Sequence, residues 1–250
     1  MRYARVIFTG LLLMMVAACS VPGPGGAPEG IHDPHEATNR KIHAFNQRLD
    51  KNSVNGAGAA YVRSVPEGVR RNISNFADTF ATPGYVVNQV LQGRPGRATT
   101  NTVRFVINAT LGFGGLADVA ADLGLEEDDT DFGETLYVWG APEGAYQELP
   151  ILGPSTERDS AGRVVDLFTN PLSYTIPAPE KYSGTVATYL DKLGQRATYS
   201  DTYDSLMYES ADSYAQLRLI YLQNRRYELG GDAGEDASFV DPDAVDTEGF

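Results

Sequence analysis

Cysteine is almost absent from this chain. Cys19 is the only one in 250 residues, which excludes an intramolecular disulfide and any zinc or iron-sulfur site held by several thiolates. Histidine is nearly as scarce, with His32, His35 and His43 crowded into one short segment. Basic residues are outnumbered, 20 Lys plus Arg against 33 Asp plus Glu for a formal charge of −13, and they form no run. The chain therefore lacks the electrostatic footprint of a nucleic-acid binder. After residue 18 no stretch of 18 apolar residues occurs, so a membrane-spanning helix is not expected there, and strand-like alternation is almost absent. What is present suffices for a core: 42% hydrophobic and 10% aromatic residues exceed what a disordered chain carries, and the length suits one globular domain or two small ones.

Residues 1–18 read as a targeting segment. Arg2 and Arg5 form a basic start, and Val6 to Val16 is an apolar stretch too short to span a bilayer. Val16-Ala17-Ala18 then runs directly into Cys19, an arrangement similar to the lipobox of bacterial lipoproteins. On this reading Cys19 becomes the acylated first residue of the mature chain. Ser20 in place of aspartate behind it implies sorting to the outer membrane, inner leaflet. Loss of the two leader arginines makes the mature formal charge −15 instead of −13. Several acyl chains, at about 0.8 kcal/mol per buried methylene, anchor far more firmly than one.

Residues 19–32 are expected to be a flexible, Pro/Gly-rich tether, 33–230 a helical domain, and 231–250 a disordered acidic tail without Lys or Arg. Asp33-Pro34-His35-Glu36 predicts a helix start with Asp33 as N-cap, followed by Ile42, Phe45 and Leu49 in helical period. Ser64-Val65-Pro66-Glu67 predicts a second, with Val69, Ile73, Phe76 and Phe80 on one face. Thr82-Pro83 is read as opening a separate shorter helix that stops at Gly93, and Pro95 as opening another through Phe105 and Ala109. Val103 to Leu123 is the least polar stretch of the mature chain, read as two helices meeting at a hinge of Gly112, Gly114 and Gly115. Phe132 to Tyr146, with Gly133, Gly140, Pro142 and Gly144, is read as a hairpin-like loop. Further helices are expected from a Ser155 cap to Asn170-Pro171, from Glu180 to Leu193, and as one long element through Tyr203, Met207, Tyr214 and Tyr221. Nine of the fourteen tyrosines lie beyond residue 170, a distribution that suits either a membrane interface or ordinary half-buried packing.

These residues resemble a known family, the MlaA (VacJ) phospholipid-binding lipoproteins. The resemblance rests on ordered blocks: Asp33-Pro34 with Asn39-Arg40 and Phe45-Asn46; Asn75-Phe76; Leu91-Gln92-Gly93; and Arg104-Phe105 with Asn108, Thr110-Leu111-Gly112, Gly114-Gly115 and Asp118-Val119-Ala120. It continues through Asp131-Phe132-Gly133, Thr135-Leu136, Trp139-Gly140, Tyr146, Leu149-Pro150, Leu152 to Thr156, and Arg158-Asp159, covering about Asp33 to Gly230. His35, Thr38 and Ala145 depart from the family's usual residues. The resemblance implies an all-α, ring-like bundle of amphipathic helices lying in the inner leaflet of the outer membrane beside a trimeric porin. It also implies that the protein takes mislocalised phospholipid from the outer leaflet and passes it to a soluble periplasmic carrier, with no cofactor. Placed on this pattern, Phe105, Leu111, Phe113, Phe132 and Leu136 are candidates for acyl-chain contact, the alternative for all five being plain core. Gly112, Gly114 and Gly115 are hinge candidates, and Gly133 and Gly140 are candidates for loop mobility.

Rival chemistries find little support. His32-x-x-His35 with Asp33, Glu36 and His43 lacks the i, i+4 spacing of helical metal ligands. Ser155 lacks the second glycine of a nucleophile elbow, and Arg158, Asp159 and Asp166 read as a helix-surface charge set. A triad recruiting a distant histidine is left open by the sequence and supported by nothing in it. A structural envelope lipoprotein shares the same anchor and helices.

Overall fold

A computed structural model describes residues 31–230. The leader 1–18, Cys19, the tether up to residue 30 and the acidic tail 231–250 lie outside the described residues.

The chain is helical almost throughout. α1 (Glu36–Leu49) runs through a wide π-helical turn (Asp50–Val54) into α2 (Asn55–Ser64), followed by α3 (Glu67–Leu91), α4 (Pro95–Thr110), a short α5 (Val119–Asp122) and α6 (Phe132–Val138). A two-stranded antiparallel hairpin, β1 (Tyr146–Leu149) with β2 (Gly153–Thr156), pairs Tyr146 with Thr156 and Leu149 with Gly153. Then come α7 (Glu157–Thr169), α8 (Leu172–Thr175), a 3-10 turn (Glu180–Tyr182), α9 (Ser183–Thr198), α10 (Ser200–Asp204), a second π-helical turn (Ser205–Glu209) and α11 (Ser213–Glu228). α3 packs against α4 and α9, α9 also against α2, and α6 against α7. The α3–α9 contact is close because Gly184 carries no side chain: a Cβ there would sit 2.1 Å from the Phe80 ring.

The expected helix periods are present, but several boundaries are corrected. Asp33 does not cap α1, which starts after His35 without a side-chain cap. Its carboxylate instead accepts from Asn39 Nδ2 (2.9 Å), Arg218 Nη1 (2.5 Å) and the Tyr214 hydroxyl, so tertiary partners outcompete the local cap. Ser64 closes α2, a helix that the sequence pattern does not separate, and α3 starts from Pro66 with no side-chain cap. The break expected at Thr82-Pro83 is absent. α3 runs unbroken for 25 residues with Pro83 inside it. An internal proline costs about 3 kcal/mol. The carbonyl that loses its helical donor is that of Thr79; packing on α4 and α9 holds both sides in line, and Thr82 Oγ1 and Asn170 Nδ2 add bonds to the flanking Asp78 O (2.8 Å) and Phe80 O (2.8 Å).

The hairpin lies later than expected. Phe132 opens a helix because Asp131 caps it, accepting from Glu134 N at 2.7 Å; the chain turns through Gly140 and Gly144, both at positive φ, and the hairpin follows. Thr156 rather than Ser155 caps α7, accepting from Asp159 N (3.2 Å), and Ser155 is buried in β2. Arg158 and Asp159, expected on a helix surface, are buried. The single long C-terminal helix is instead two, interrupted around residues 210–212, where Ser210 turns extended and Asp212 caps α11 by accepting from Ala215 N (3.1 Å).

Among the described residues two small apolar clusters stand out. Phe132, Leu136 and Ala141 pack with Ala161 and Val165, and Tyr146, Tyr214 and Leu222 pack with Ile31 and Tyr221.

Candidate functional site

α4 buries three of its polar residues and exposes two of its valines. Asn101, Arg104 and Asn108 recur along one face and are buried, whereas Val103 and Val106 are exposed. The buried side chains are satisfied by the following loop. Asn101 Nδ2 donates to Asp128 O (2.7 Å) and Gln89 Oε1 (3.1 Å); Arg104 Nη2 donates to Asp118 Oδ2 (2.9 Å); and Asn108 bridges Asp118 Oδ1 (2.8 Å) and Ala120 N (2.9 Å). From α3, Gln89 Nε2 reaches Asp128 O (2.9 Å), Gln92 Nε2 reaches Thr130 Oγ1 (2.7 Å), and Asn88 Nδ2 reaches Asp166 Oδ1 (3.0 Å). An acidic segment that would be a solvated loop by composition is thus pinned between helices by amides.

The same inversion recurs elsewhere. On α7, Val164, Leu167 and Phe168 are exposed while Arg158 and Asp159 are buried; beside α9, Tyr182, Val186 and Tyr189 are exposed over a buried edge of Gly184, Ala187 and Arg196. Leaving a Leu, Val or Phe in water forgoes about 1.5–3 kcal/mol each. A surface built this way is stable where the surrounding medium is itself apolar. Among the described residues no helix is long and apolar enough to cross a membrane.

The turn after α4 is the most exposed part of this surface. Leu111 is 63% and Phe113 82% exposed, with Leu116 beside them. Gly112 and Gly115 are held in close contact. A Cβ on Gly112 would lie 2.2 Å from Ala117 O, and one on Gly115, at φ +96°, would lie 2.7 Å from the Thr79 side chain. Backbone hydrogen bonds from Gly115 N to Asn108 O (2.9 Å) and from Ala117 N to Gly112 O (3.0 Å) tie the turn together. Gly112 and Gly115 are therefore packed within one turn, with Gly114 open to space at φ +75°, and that turn carries Phe113, itself at φ 55°.

The remaining candidates divide. Phe105 is half-buried on α4. Phe132 and Leu136 lie in the core cluster, and Phe132 stacks edge-on with Trp139 at 5.6 Å. Gly133 is buried inside α6, where a Cβ would sit 2.7 Å from Asp159 Oδ1, so it serves helix packing. Gly140, at φ +87° with open space around it, ends that helix. The structure therefore does not bring the five apolar candidates onto one surface, nor the five glycines into one hinge. Sequence reasoning missed the buried amides, although their signal was present: Asn101, Arg104 and Asn108 stand at helical spacing on α4, and Asn88, Gln89 and Gln92 cluster at the end of α3.

Carboxylates from α3, α9 and the pinned loop face a shared interior. Burial pushes Asp78 up to about 6, reinforced by the charges of Asp191 and Asp118, with Arg104 opposing. Burial and then Asp78 push Glu127 up to about 7. Burial also acts on Asp118, but Asn108, the Ala121 N–H and Arg104 together hold it below the usual carboxylate range. The region combines desolvated carboxylates with exposed apolar side chains. Among the described residues no three His, Cys, Asp or Glu side chains gather as a metal ion would require.

Residues 31–228 match the family model of the MlaA lipoprotein. The chain is 33% identical over 211 residues to the intermembrane phospholipid transport system lipoprotein MlaA of Escherichia coli K12, covering 83% of this chain and 82% of that protein. The Haemophilus influenzae protein of the same name is 29% identical over 205 residues, covering 79% of each chain, and an uncharacterized protein of Rickettsia typhi is 33% identical over 189 residues, covering 75% of this chain and 74% of its own. A solved structure described as the structural basis for maintenance of bacterial outer membrane lipid asymmetry superposes with a TM-score of 0.68 at 31% identity, covering 79% of this chain and 98% of the other.

Proposed function

Because the chain belongs to the MlaA lipoprotein family, we propose that it is a phospholipid-transport lipoprotein of the outer membrane. It removes mislocalised phospholipid from the outer leaflet and passes it to a soluble periplasmic carrier, preserving lipid asymmetry. The observation that carries this reading is the inverted polarity of α4 and its neighbours, with Asn101, Arg104 and Asn108 inside and Val103, Val106, Leu111 and Phe113 outside. A helical body satisfies its own backbone hydrogen bonds in hydrocarbon and can lie within one leaflet. On this proposal residues 1–18 are removed, Cys19 carries the acyl chains, 19–32 tether the body to them, 33–230 form the transport domain and 231–250 a free acidic tail. The body lies in the inner leaflet beside a trimeric porin. Leu111, Phe113 and the accessible side of Phe105 contact acyl chains, while Phe132 and Leu136 belong to a separate core cluster.

The test has three parts. Photo-crosslinkers at Leu111 and Phe113 capture phospholipid in cells, and the same groups at Phe132 and Leu136 capture less. Residues 20–250 expressed behind an ordinary cleavable leader stay with membranes despite lacking the lipid. Cys19→Ala abolishes fatty-acid labelling. A freely soluble, detergent-independent monomer from the second experiment, or absence of lipid crosslinks in the first, refutes the embedded transporter and leaves a structural lipoprotein.

A further inference from the structure

Away from the apolar surface, α1 and the segment leading into α11 enclose a cleft of about 560 Å³ lined by Arg40, His43, Gln47, Tyr208, Asp212 and Ser213. Within it, His43 Nε2 lies 3.0 Å from Ser213 Oγ, and on the other side of the ring His43 Nδ1 lies 3.4 Å from Glu148 Oε1. Glu148 is buried and accepts from Tyr146 Oη (2.6 Å) and Asn46 Nδ2 (3.2 Å). A carboxylate facing Nδ1 places the ring proton there, so Nε2 presents its lone pair to Ser213. Gln47 Nε2 donates to Ser213 Oγ (3.0 Å), so the hydroxyl's own proton is directed toward His43. The imidazole is held edge-on against Tyr214 at 5.7 Å. Glu148 and Ser213 stand 105 and 170 positions from His43, and the three come together only through the hairpin and the start of α11.

We propose that Ser213 and His43 are a nucleophile and general base, with Glu148 as the positioning carboxylate, for hydrolysis of short-chain carboxylic esters in this cleft. Ser213 Oγ attacks the ester carbonyl carbon as its proton passes to His43 Nε2. Ser213 is the first residue of α11, and the first intrahelical bond is that of Gln216 N to Asp212 O (3.1 Å). The N–H groups of Ser213 and Tyr214 precede it and supply donors for the carbonyl oxygen as it gains charge. The carbonyl carbon to alkoxy oxygen bond breaks, the alcohol leaves with the proton from His43, and an acyl-serine remains. Water then attacks that carbonyl, giving its proton to His43. The acyl-serine bond breaks, the carboxylic acid departs, and Ser213 regains its proton. The separation of 3.4 Å between His43 and Glu148 shortens when the imidazolium forms and the two groups carry opposite charge. Arg40, Gln47, Tyr208 and Asp212 line the cleft beside a short apolar patch of Ala44, Met207 and Ala211, which matches a small acyl group on a polar alcohol.

The experiment uses the full mature protein in detergent with p-nitrophenyl acetate, butyrate and decanoate, and a fluorophosphonate probe located by mass spectrometry. Phosphonylation at Ser213 is expected, with turnover of acetate and butyrate esters exceeding that of decanoate. Ser213→Ala loses at least about 100-fold in kcat/KM while retaining its melting temperature and lipid-transport activity. Glu148→Gln lowers kcat counted per site labelled by the fluorophosphonate probe, a normalisation that removes any loss of folded protein, and Glu148→Asp restores part of it. Should His43→Gln fail to fold, the Ser213 variant alone decides the matter. No probe at Ser213, equal turnover by Ser213→Ala, or cleavage of the long-chain ester only would each overturn the assignment.

Discussion

The α4 region and the α11 region are stabilised by opposite means. Around α4 the interior is polar and the exterior apolar, and the tip residue Phe113 touches little of the protein. Around α11 the chain is held as a water-soluble protein would be, with charged side chains latching one element to several others. Arg225 Nη2 grips Asp131 (2.7 and 2.8 Å) and Asp159 (3.3 Å), Arg218 pairs with Asp33 (2.5 Å), Arg226 pairs with Glu143 (2.8 Å), and Tyr221 Oη donates to Asp159 (2.7 Å). Beneath these lie Tyr146, Tyr214 and Leu222, an ordinary aromatic core. The contrast teaches that one chain can combine a side whose apolar residues face outward with a side held by charged latches over an aromatic core.

The largest effect is expected from breaking the latch. Arg225→Ala removes the cation that joins Asp159 to Asp131 and leaves the buried Asp159 carboxylate only Tyr221 Oη and Arg158, and removing one partner of a buried ion pair costs about 3–5 kcal/mol. Thermal unfolding in detergent should show the melting temperature falling by about 10 °C; an unchanged melt means that the α11 side is not the stabilising half. Next, Phe113→Asp should leave that melt unaltered while weakening membrane retention by about 2 kcal/mol, read as the fraction of the unlipidated form released into the soluble fraction. Equal retention would erase the distinction between the two sides.

A pH dependence sharpens the comparison within the α4 region. Asp78 and Glu127 keep their protons up to about pH 6 and 7 in the fold but release them near 4 once unfolded. The native state binds more protons in that window, so this contribution is fully present below about pH 4 and is lost as pH rises toward 7. Asp118 and Asp159 are held low and act the other way, giving up stability as pH falls below about 4. Melts at pH 5 and pH 7.5 should therefore differ in favour of pH 5, and Asp78→Asn with Glu127→Gln should flatten the difference. The smallest effect is expected for Gly114→Ala, which has open space around it but φ +75°, and should cost about 1 kcal/mol from backbone conformation alone. Denaturant titration would measure it.

Local signals carried much of the fold. Periods such as Val69, Ile73, Phe76 and Phe80 announced helices because 3.6-residue spacing is a property of the chain itself, and the Asn170-Pro171 stop is likewise local. The Gly112 to Gly115 turn was legible for the same reason, since positive φ and close backbone approach select glycine wherever they occur. The ordered family blocks were legible as text.

What the sequence by itself determined is the helical class, the acidic balance and the kinship. Only the tertiary structure decided which face of each helix points outward, because a period reveals that two faces differ and not which medium each one meets; α4 buries its amides because α3 and the acidic loop satisfy them. Tertiary packing also kept α3 straight through Pro83, moved the hairpin beyond Gly144, and turned Asp33 from a cap into an ion-pair partner. It brought Ser213, His43 and Glu148 together as well, since contacts between residues more than a hundred positions apart in the chain leave no periodic trace in it.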